Sequence, residues 1–532
     1  MKKIKLLDCT LRDGGYINDW EFGHSVITGT YKRLDAAGVD FIEVGFLDDR
    51  RPFDINRTIQ PNTDSFNEVF RGVEKKSAIP VAMIDYGTCD ISNIGECSSS
   101  FIDGIRVIFK KEKIDSALPF CKAIKEKGYK LFIQAISITA YSDLEMLEYV
   151  QKINEIKPYA FSIVDTYGLL DNRKLTNYFN LINNNLDANV IIGYHAHNNF
   201  QLAFSNSIKF LGLETNRTIV VDSTVYGMGK SAGNCASELI SMHMNEKYGC
   251  SYDIDQFLEI LDTDLMAIYQ KHYWGYKYNF YISAMQNCHP NYVQFLLDKK
   301  TLSVSSINEI LAQIPNGIKL LYDQNYIEKA YLEYQSNIID DQSAIACISK
   351  ELDGKTIVLL GPGKTIQSDK NKIIEFINKN QASVISVNFE HSVYKCDFVF
   401  ISNAKRYSKL ADLAEQEATS KLVITSNITA FDRPADYVLN YQGLIQETGT
   451  KGDIALLLAI AALLKAGVRK VFLAGFDGFS IEKENYYDSK YSFVRNDDQY
   501  MLSNETTMQG LRELSKRIEI KFLTDSLYEE AL

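Results

Sequence analysis

An alternation limits the fold of this chain more than any other feature. Eight short apolar, β-branched runs recur through the first ~240 residues, separated by stretches of helical pattern. They lie at residues 4–10, 41–46, 79–86, 102–109, 130–138, 160–166, 190–197 and 218–226. Segments such as 114–127 and 143–155 fall between them, and several end at a glycine suited to a helix C-cap, Gly38 and Gly128 among them. Eight strand–helix units in that length match a (β/α)8 TIM barrel. A doubly wound sheet competes, but it rarely runs to eight strands before its first break. The connection at 87–101 carries little helical pattern and is the poorest fit.

After residue 250 the chain turns helical and aromatic, with a tyrosine-rich stretch at 269–292 that includes Trp274. Its pattern predicts a helical cap whose aromatic groups pack on the barrel and offer an interface for a homo-oligomer. A second alternating region starts at Lys355. Strands are expected at 356–360, 383–388, 398–402, 422–425 and 470–474, the pattern of a smaller doubly wound, Rossmann-like α/β domain. The expected division is therefore 1–250 barrel, 251–350 helical cap or linker, and 351–532 Rossmann-like domain.

Composition removes several function classes. The 57 Lys and Arg against 68 Asp and Glu give a net charge of −11, which disfavours a nucleic-acid partner. With 46% hydrophobic and 23% charged residues, the chain is neither disordered nor fibrous. Nine scattered cysteines without a C-x-x-C pair argue against a thiolate zinc site and suit reduced thiols in a cytoplasm. The N-terminal MKKIKLLDCTLRD has too few apolar residues for a signal peptide. The longest apolar stretch, 454–464, is far too short for a ~30 Å hydrocarbon core and reads as a buried helix, so no membrane partner is expected.

In a barrel, chemistry gathers at the C-terminal ends of the strands. Polar residues recur there: Arg12 and Asp13 after the first run, Glu43 in the second, Asp165 and Thr166 closing the sixth. His195 and His197 close the seventh, and GMGKSAGN follows the eighth. Residues two apart on a strand share a face, so the two imidazoles enter the mouth side by side. That pair suits a divalent metal, with Asp13 as an anionic ligand. Arg12 beside them can hold a carboxylate or steady an enolate oxygen, and Glu43 either orients Arg12 or takes part in the chemistry. Asp165 and Thr166 are candidates for binding substrate.

These motifs together resemble a family. LLDCTLRDGG at 6–15, FIEVGF at 41–46, VDTYG at 164–168, HAHN at 195–198 and GMGKSAGN at 227–234 are similar to the HMG-CoA lyase-like (DRE-TIM) metal-dependent barrels. That group holds 4-hydroxy-2-oxovalerate aldolase, HMG-CoA lyase, isopropylmalate and homocitrate synthases and the carboxyltransferase domain of pyruvate carboxylase. The pattern is nearest to the 4-hydroxy-2-oxovalerate aldolases and runs over about residues 1–290. The resemblance implies a divalent metal (Mn²⁺, Mg²⁺ or Zn²⁺) on Asp13, His195 and His197, with Asn234 as a further ligand. It also implies that Arg12 stabilises the enolate of a 2-oxo acid or thioester, and hence the making or breaking of a carbon–carbon bond.

One position departs from the pattern. The aldolases carry a histidine base three residues after the metal-binding aspartate, and here Tyr16 stands there. A phenol of pKa ~10 is a poor base at neutral pH. His24 and His289 are the other candidates for the proton transfer.

In the second domain, Gly361-Pro-Gly363 follows a strand, so it can be a tight turn or a cradle for a phosphate. Lys451-Gly-Asp453 and Asp477 lie where such sheets bind ligands, and Gly361, Gly363 and Asp477 are its candidate cofactor-binding residues.

The expected activity is an aldolase or lyase acting on pyruvate or a related 2-oxo acid and an aldehyde, the latter phosphorylated or nucleotide-linked, in sugar or polysaccharide biosynthesis. An acetyl-CoA-dependent Claisen-type acyltransferase and a non-catalytic binding protein are the competing readings.

Overall fold

All eight apolar runs become strands of a closed parallel barrel in the computed structural model. They are β1 (Ile4–Asp8), β2 (Phe41–Leu47), β3 (Ile79–Asp85), β4 (Gly104–Ile108), β5 (Lys130–Ala135), β6 (Ala160–Asp165), β7 (Ile191–Ala196) and β8 (Ile219–Ser223). Each pairs in parallel with its neighbours, and β1 closes the ring against both β2 and β8. The structure describes residues 3–299, 301–320, 322–390, 393–411, 420–429, 434–450, 453–480, 484–491 and 497–532. The chain forms two compact units, Met1–Pro290 and Asn291–Leu532.

All seven residues of β2 are buried, because a strand inside a barrel is covered on both faces. Alternation sorts them. Outward residues such as Leu6, Ile42, Ile105 and Phe161 pack in the main core with the helices. Inward residues Leu7, Phe41, Val81, Phe132, Ala160 and Val220 form a separate apolar plug. One inward step further along the strands the side chains become Glu43, Arg106, Gln134 and Asp222, all fully or almost fully buried. The barrel interior is thus apolar toward one end and charged toward the mouth.

The helices follow local signals. Ser142 and Glu145 form a capping box at the start of Asp143–Ile156, supplying partners for two otherwise orphaned N–H groups. The poorly patterned connection at 87–101 holds only two 3-10 turns, Ile91–Asn93 and Cys97–Ser99. A short strand, Ile59–Gln60, adds itself to the end of β2. At Gly45 the β2–β3 register shifts, and a Cβ there would stand 1.7 Å from the Thr58 carbonyl oxygen. That close approach lets Thr58 Oγ1 donate to the Leu11 carbonyl at 2.6 Å and brace the segment that carries Arg12.

The helical region after residue 250 contributes to both units. Ile254–Ile260, Met266–Lys271 and Tyr278–Met285 belong to the first, while Val304–Ala312, Gln324–Gln335 and Gln342–Leu352 belong to the second. Trp274 is buried and donates from Nε1 to the Tyr226 carbonyl at 3.0 Å, whereas Tyr273, Tyr276, Tyr278 and Tyr281 are exposed.

The second unit holds an all-parallel sheet of β9 (Ile357–Leu360), β10 (Ser383–Val387), β11 (Phe398–Ile401), β12 (Lys421–Thr425), β13 (Tyr437–Leu439), β14 (Lys470–Ala474) and β15 (Glu519–Phe522). Their order is β13-β12-β11-β10-β9-β14-β15. Five of these were expected; the two additions, β13 and β15, are short edge strands with too few buried residues to stand out in a sequence. The apolar stretch 454–464 is the buried helix Ala455–Lys465, with every residue from Leu456 to Leu464 buried. Among the described residues no helix is long and apolar enough to cross a membrane. All nine cysteines are free.

Candidate active site

The turn after β1 is the first component. Arg12 and Asp13 both donate their backbone N–H to the Cys9 carbonyl, at 3.1 and 2.8 Å, which winds the chain back over the strand end. The Arg12 guanidinium is buried and ion-paired twice, Nε to Glu43 Oε2 at 2.7 Å and Nη1 to Asp13 Oδ2 at 3.2 Å. Glu43 Oε2 also accepts from Arg106 Nη1 at 2.8 Å. A carboxylate shared by two guanidinium groups positions Arg12.

The second component comes from β7. His195 and His197 lie with ring centroids 5.1 Å apart. His195 Nε2 stands 3.0 Å from Asp13 Oδ2, and His197 Nε2 3.9 Å from the same oxygen. On its other side His195 Nδ1 meets Asp222 Oδ2 at 3.1 Å, and Asp222 is ion-paired with Arg106. One chain of contacts therefore runs Arg12–Glu43–Arg106–Asp222–His195–Asp13.

The loop after β8 supplies the rest. Lys230 donates its backbone N–H to Asp13 Oδ1 at 3.2 Å. Asn234 Nδ2 donates to the Met228 carbonyl at 3.2 Å, and a Cβ on Gly229 would lie 2.0 Å from that nitrogen and 3.4 Å from Asp13 Oδ1. Asn234 is thereby held beside Asp13.

Electrostatics follow from this packing. Burial works against charge on Asp13, but Arg12, His197 and His195 hold its carboxyl well below the usual range. Burial also opposes protonation of His195, yet Asp13 and Asp222 raise it above its ordinary value. Burial pushes His197 down to about 4 despite Asp13.

A divalent cation fits these donors. Two ligands at ~2.1 Å from an ion and at right angles to each other lie ~3 Å apart, the spacing seen between Asp13 and His195. Asp13 Oδ2 and Asn234 Oδ1 are sealed from solvent and lack a well-aligned hydrogen-bond donor. Cys9, Asp13 and His195 present ligand atoms within 4.8 Å of one another. Cys9 is the poorer third partner. Its thiol donates to the Ser223 carbonyl at 3.2 Å, and burial pushes its pKa well above the usual value, so it offers no thiolate at neutral pH.

The other expected residues fall into two groups. Tyr16 is at the mouth, 40% exposed, packed edge-on against Trp20 and Phe46, with Lys230 Nζ 5.4 Å from its ring centroid. Loss of water around its hydroxyl pushes the phenol up to about 12, Arg12 notwithstanding, so it is a proton donor and no base at neutral pH. His289 is also brought here: burial and the nearby Lys230 ammonium lower it to about 4, leaving a neutral imidazole. His24 is turned to another task, its Nε2 bonded to the Val69 carbonyl at 2.8 Å.

Asp165 differs from the expectation of a substrate contact. Its two oxygens accept the N–H groups of Leu169 and Leu170 at 2.8 and 3.0 Å, so the carboxyl shapes its own loop. Thr166 Oγ1 accepts from the Ser137 N–H at 2.7 Å and keeps its own proton to donate.

Gly361, Gly363 and Asp477 lie in the second unit. The N–H groups of Gly361 and Gly363 are taken by the Ala474 and Gly475 carbonyls, both at 2.8 Å. Asp477 accepts from the N–H and hydroxyl of Thr365. A Cβ on Gly363 would stand 2.5 Å from Asp477 Oδ1. The turn therefore offers those donors to its own protein, although Gly363 and Asp477 still line a cavity. Lys451 lies outside the described residues; Asp453 lines the same cavity.

Arg106, Asp222 and Lys230 were not anticipated as part of the site. Arg106 and Asp222 were detectable: each is a charged residue inside an apolar run (IRVIF and IVVDS), at an inward-facing position of the strand.

An eight-stranded barrel with buried acid, imidazole and guanidinium groups converging at its mouth defines the class, a TIM-barrel enzyme with its site at the strand C-termini. Residues 3–264 match the model of the HMGL-like family. Among similar proteins, an oxaloacetate decarboxylase of Mycobacterium tuberculosis is 21% identical over 309 residues, 57% of this chain and 89% of that protein. A 4-hydroxy-2-oxovalerate aldolase of Carboxydothermus hydrogenoformans is 26% identical over 267 residues, covering 49% of this chain and 76% of its own. The solved hydroxymethylglutaryl-CoA lyase of Pseudomonas aeruginosa is similar over 50% of this chain and 93% of its own, at 17% identity and a TM-score of 0.42.

Proposed function

We propose that the barrel is a divalent-metal-dependent aldolase or lyase working through the enolate of pyruvate or a related 2-oxo acid. The observation that carries this reading is the meeting of Asp13, His195 and His197 beside the buried guanidinium of Arg12. Asp13, His195, His197 and Asn234 would hold the cation. When bound, such an ion polarises a carbonyl and offsets developing negative charge as a Lewis acid.

The chain's own groups account for the other parts of the reaction. In the synthetic direction a base removes a proton from the methyl carbon of the 2-oxo acid, and the electron pair moves onto the carbonyl oxygen. His289, neutral at pH 7, is the group proposed to take that proton. Arg12, fixed by Glu43, faces the oxygen that gains charge and donates to it without reorganising. The enolate carbon then adds to the aldehyde carbonyl, and Tyr16 supplies a proton to the new alkoxide. Thr166 is proposed to donate to the substrate carboxylate. Cleavage is the same sequence reversed, and decarboxylation of a 2-oxo diacid reaches the same enolate by losing carbon dioxide.

The test is solvent exchange. With a divalent ion present, the full chain should wash deuterium from heavy water into the methyl of pyruvate, followed by proton NMR. No exchange with Mn²⁺, Mg²⁺ or Zn²⁺ would overturn the reading. Thiol release from acetyl-CoA in the presence of a 2-oxo acid would instead assign a Claisen-type acyltransferase. A homo-oligomer using the exposed tyrosines of 273–281 is proposed as well; a monomeric mass by light scattering removes it.

A further inference from the structure

The second unit contains a built recess that the barrel chemistry does not use. Its strand order places the reversal of winding between β9 and β14. In open parallel sheets, ligands bind in the crevice beyond the strand ends at such a reversal. A cavity of about 170 Å³ lies there, bounded by Gly363 after β9, Asn388 after β10, Ser402 after β11 and Asp477 after β14. That is roughly ten times the ~10–15 Å³ that a single water needs on the same measure.

Its walls are of two kinds. Phe476, Phe479, Tyr486 and Tyr528 give aromatic surface. Against them stand three polar groups. Ser402 is 1% exposed, and its Oγ is buried with no hydrogen-bond partner. Asp453 Oδ2 is likewise sealed and unpartnered, just ahead of the all-apolar helix Ala455–Lys465. Arg406 is buried, with its Cζ 5.6 Å from the ring centroid of Tyr486 and its Nη2 bonded to the Tyr491 carbonyl. Asn403 Oδ1 accepts the N–H groups of Lys405 and Arg406 and so fixes the backbone that carries the guanidinium.

Burying a polar atom without a partner is costly, so two such atoms lining one cavity point to a ligand that completes them. An aromatic wall suits a planar base, a carboxyl and a hydroxyl suit the hydroxyls of a sugar, and a guanidinium suits a phosphate. We propose that this recess binds a nucleoside 5′-phosphate, free or carrying a sugar: base on the aromatic wall, ribose on Asp453 and Ser402, phosphate on Arg406. Burial pushes the Asp453 carboxyl up to about 7, against a hydrogen bond with Tyr441 that lowers it. The proposal is independent of the barrel reaction.

The experiment is calorimetric titration of the full chain with AMP, GMP, CMP, UMP and UDP-glucose, with inorganic phosphate and ribose 5-phosphate as references. One nucleotide should bind once per chain, at least tenfold tighter than ribose 5-phosphate. UMP against UDP-glucose separates a free nucleotide from a sugar-bearing one. Ser402→Ala and Asp453→Asn should each weaken binding about tenfold, leave pyruvate exchange at the barrel unchanged, and keep the parent's cooperative melting transition of the second unit in scanning calorimetry, which shows that the variants fold. The proposal is overturned by absence of binding across the set, by phosphate or ribose 5-phosphate binding as well as any nucleotide, or by unchanged affinity in both variants.

Discussion

At the barrel mouth, six ionisable side chains from four strands and one loop contact one another in an unbroken series from Arg12 to Asp13. In the recess of the second unit, one guanidinium and two carboxyls, Asp453 and Asp477, are set among aromatic rings, and the Ser402 hydroxyl and one Asp453 oxygen have no partner. Both places are at the C-terminal ends of parallel strands, yet they are constructed differently. The first ties its charged groups to one another, so that they hold position while charge develops, although Asp13 Oδ2, His197 Nδ1, Asp222 Oδ1 and Asn234 Oδ1 there are also buried without a well-aligned partner. The second leaves space and unfinished contacts, as befits a site completed by a larger, multi-contact ligand.

The strongest way to break this contrast is to remove Asp13. Asp13→Ala should abolish stoichiometric divalent-metal binding and lower pyruvate exchange by at least ~10³-fold, measured by metal analysis and NMR. Retention of both would show that the series is structural only. Arg12→Lys should keep the metal but lower exchange about 10²–10³-fold, because a point charge cannot serve Glu43, Asp13 and the oxygen together. Asp222→Asn should weaken metal affinity about 10–100-fold through the loosened His195, and a titration showing less than twofold change would detach Asp222 from the site.

Proton transfer sharpens the same contrast. His289→Gln should cost about 10²–10⁴-fold in exchange, whereas Tyr16→Phe should leave exchange within about tenfold and depress aldol turnover instead. The reverse result would make the phenol the base.

The smallest effect is expected in the recess. Asp453 is held protonated up to about pH 7 in the folded chain, against ~3.9 for an unfolded aspartate, so its stabilising contribution is whole below that lower value and is lost as pH rises through 7. Asp453→Asn should therefore flatten the fall in melting temperature of the ligand-free chain between pH 4 and 7, by a few degrees in scanning calorimetry.

The barrel was legible in the sequence because its strands are buried on both faces and so read as unbroken apolar runs, ending at polar pairs whose period of two points them the same way. The edge strands of the second sheet were not: Glu519–Phe522 alternates exposed Glu519 and Lys521 with apolar Ile520 and Phe522 over only four residues, too short a pattern to stand out. The same limit applies to function. Asp13, His195 and His197 announced themselves by spacing, whereas the use of Asp165 could not be read, because what its oxygens bond to is settled by a loop closing back on them. Gly361 and Gly363 left a tight turn and a phosphate cradle both open, and only the carbonyls of Ala474 and Gly475 reveal where their N–H groups go.

The cluster straddles the seam where the first strand meets the last. Asp13 follows β1, Lys230 and Asn234 follow β8, and Cys9 and Val225 tie the two edges by donating their N–H groups across the seam, to the Ser223 carbonyl and to Thr10 Oγ1. Ligands more than 180 residues apart in the chain can converge only after the ring has shut. A cation captured there would act as a clasp, unable to load onto a nascent chain until some 234 residues have emerged, and slowing any later unzipping of the barrel at that seam.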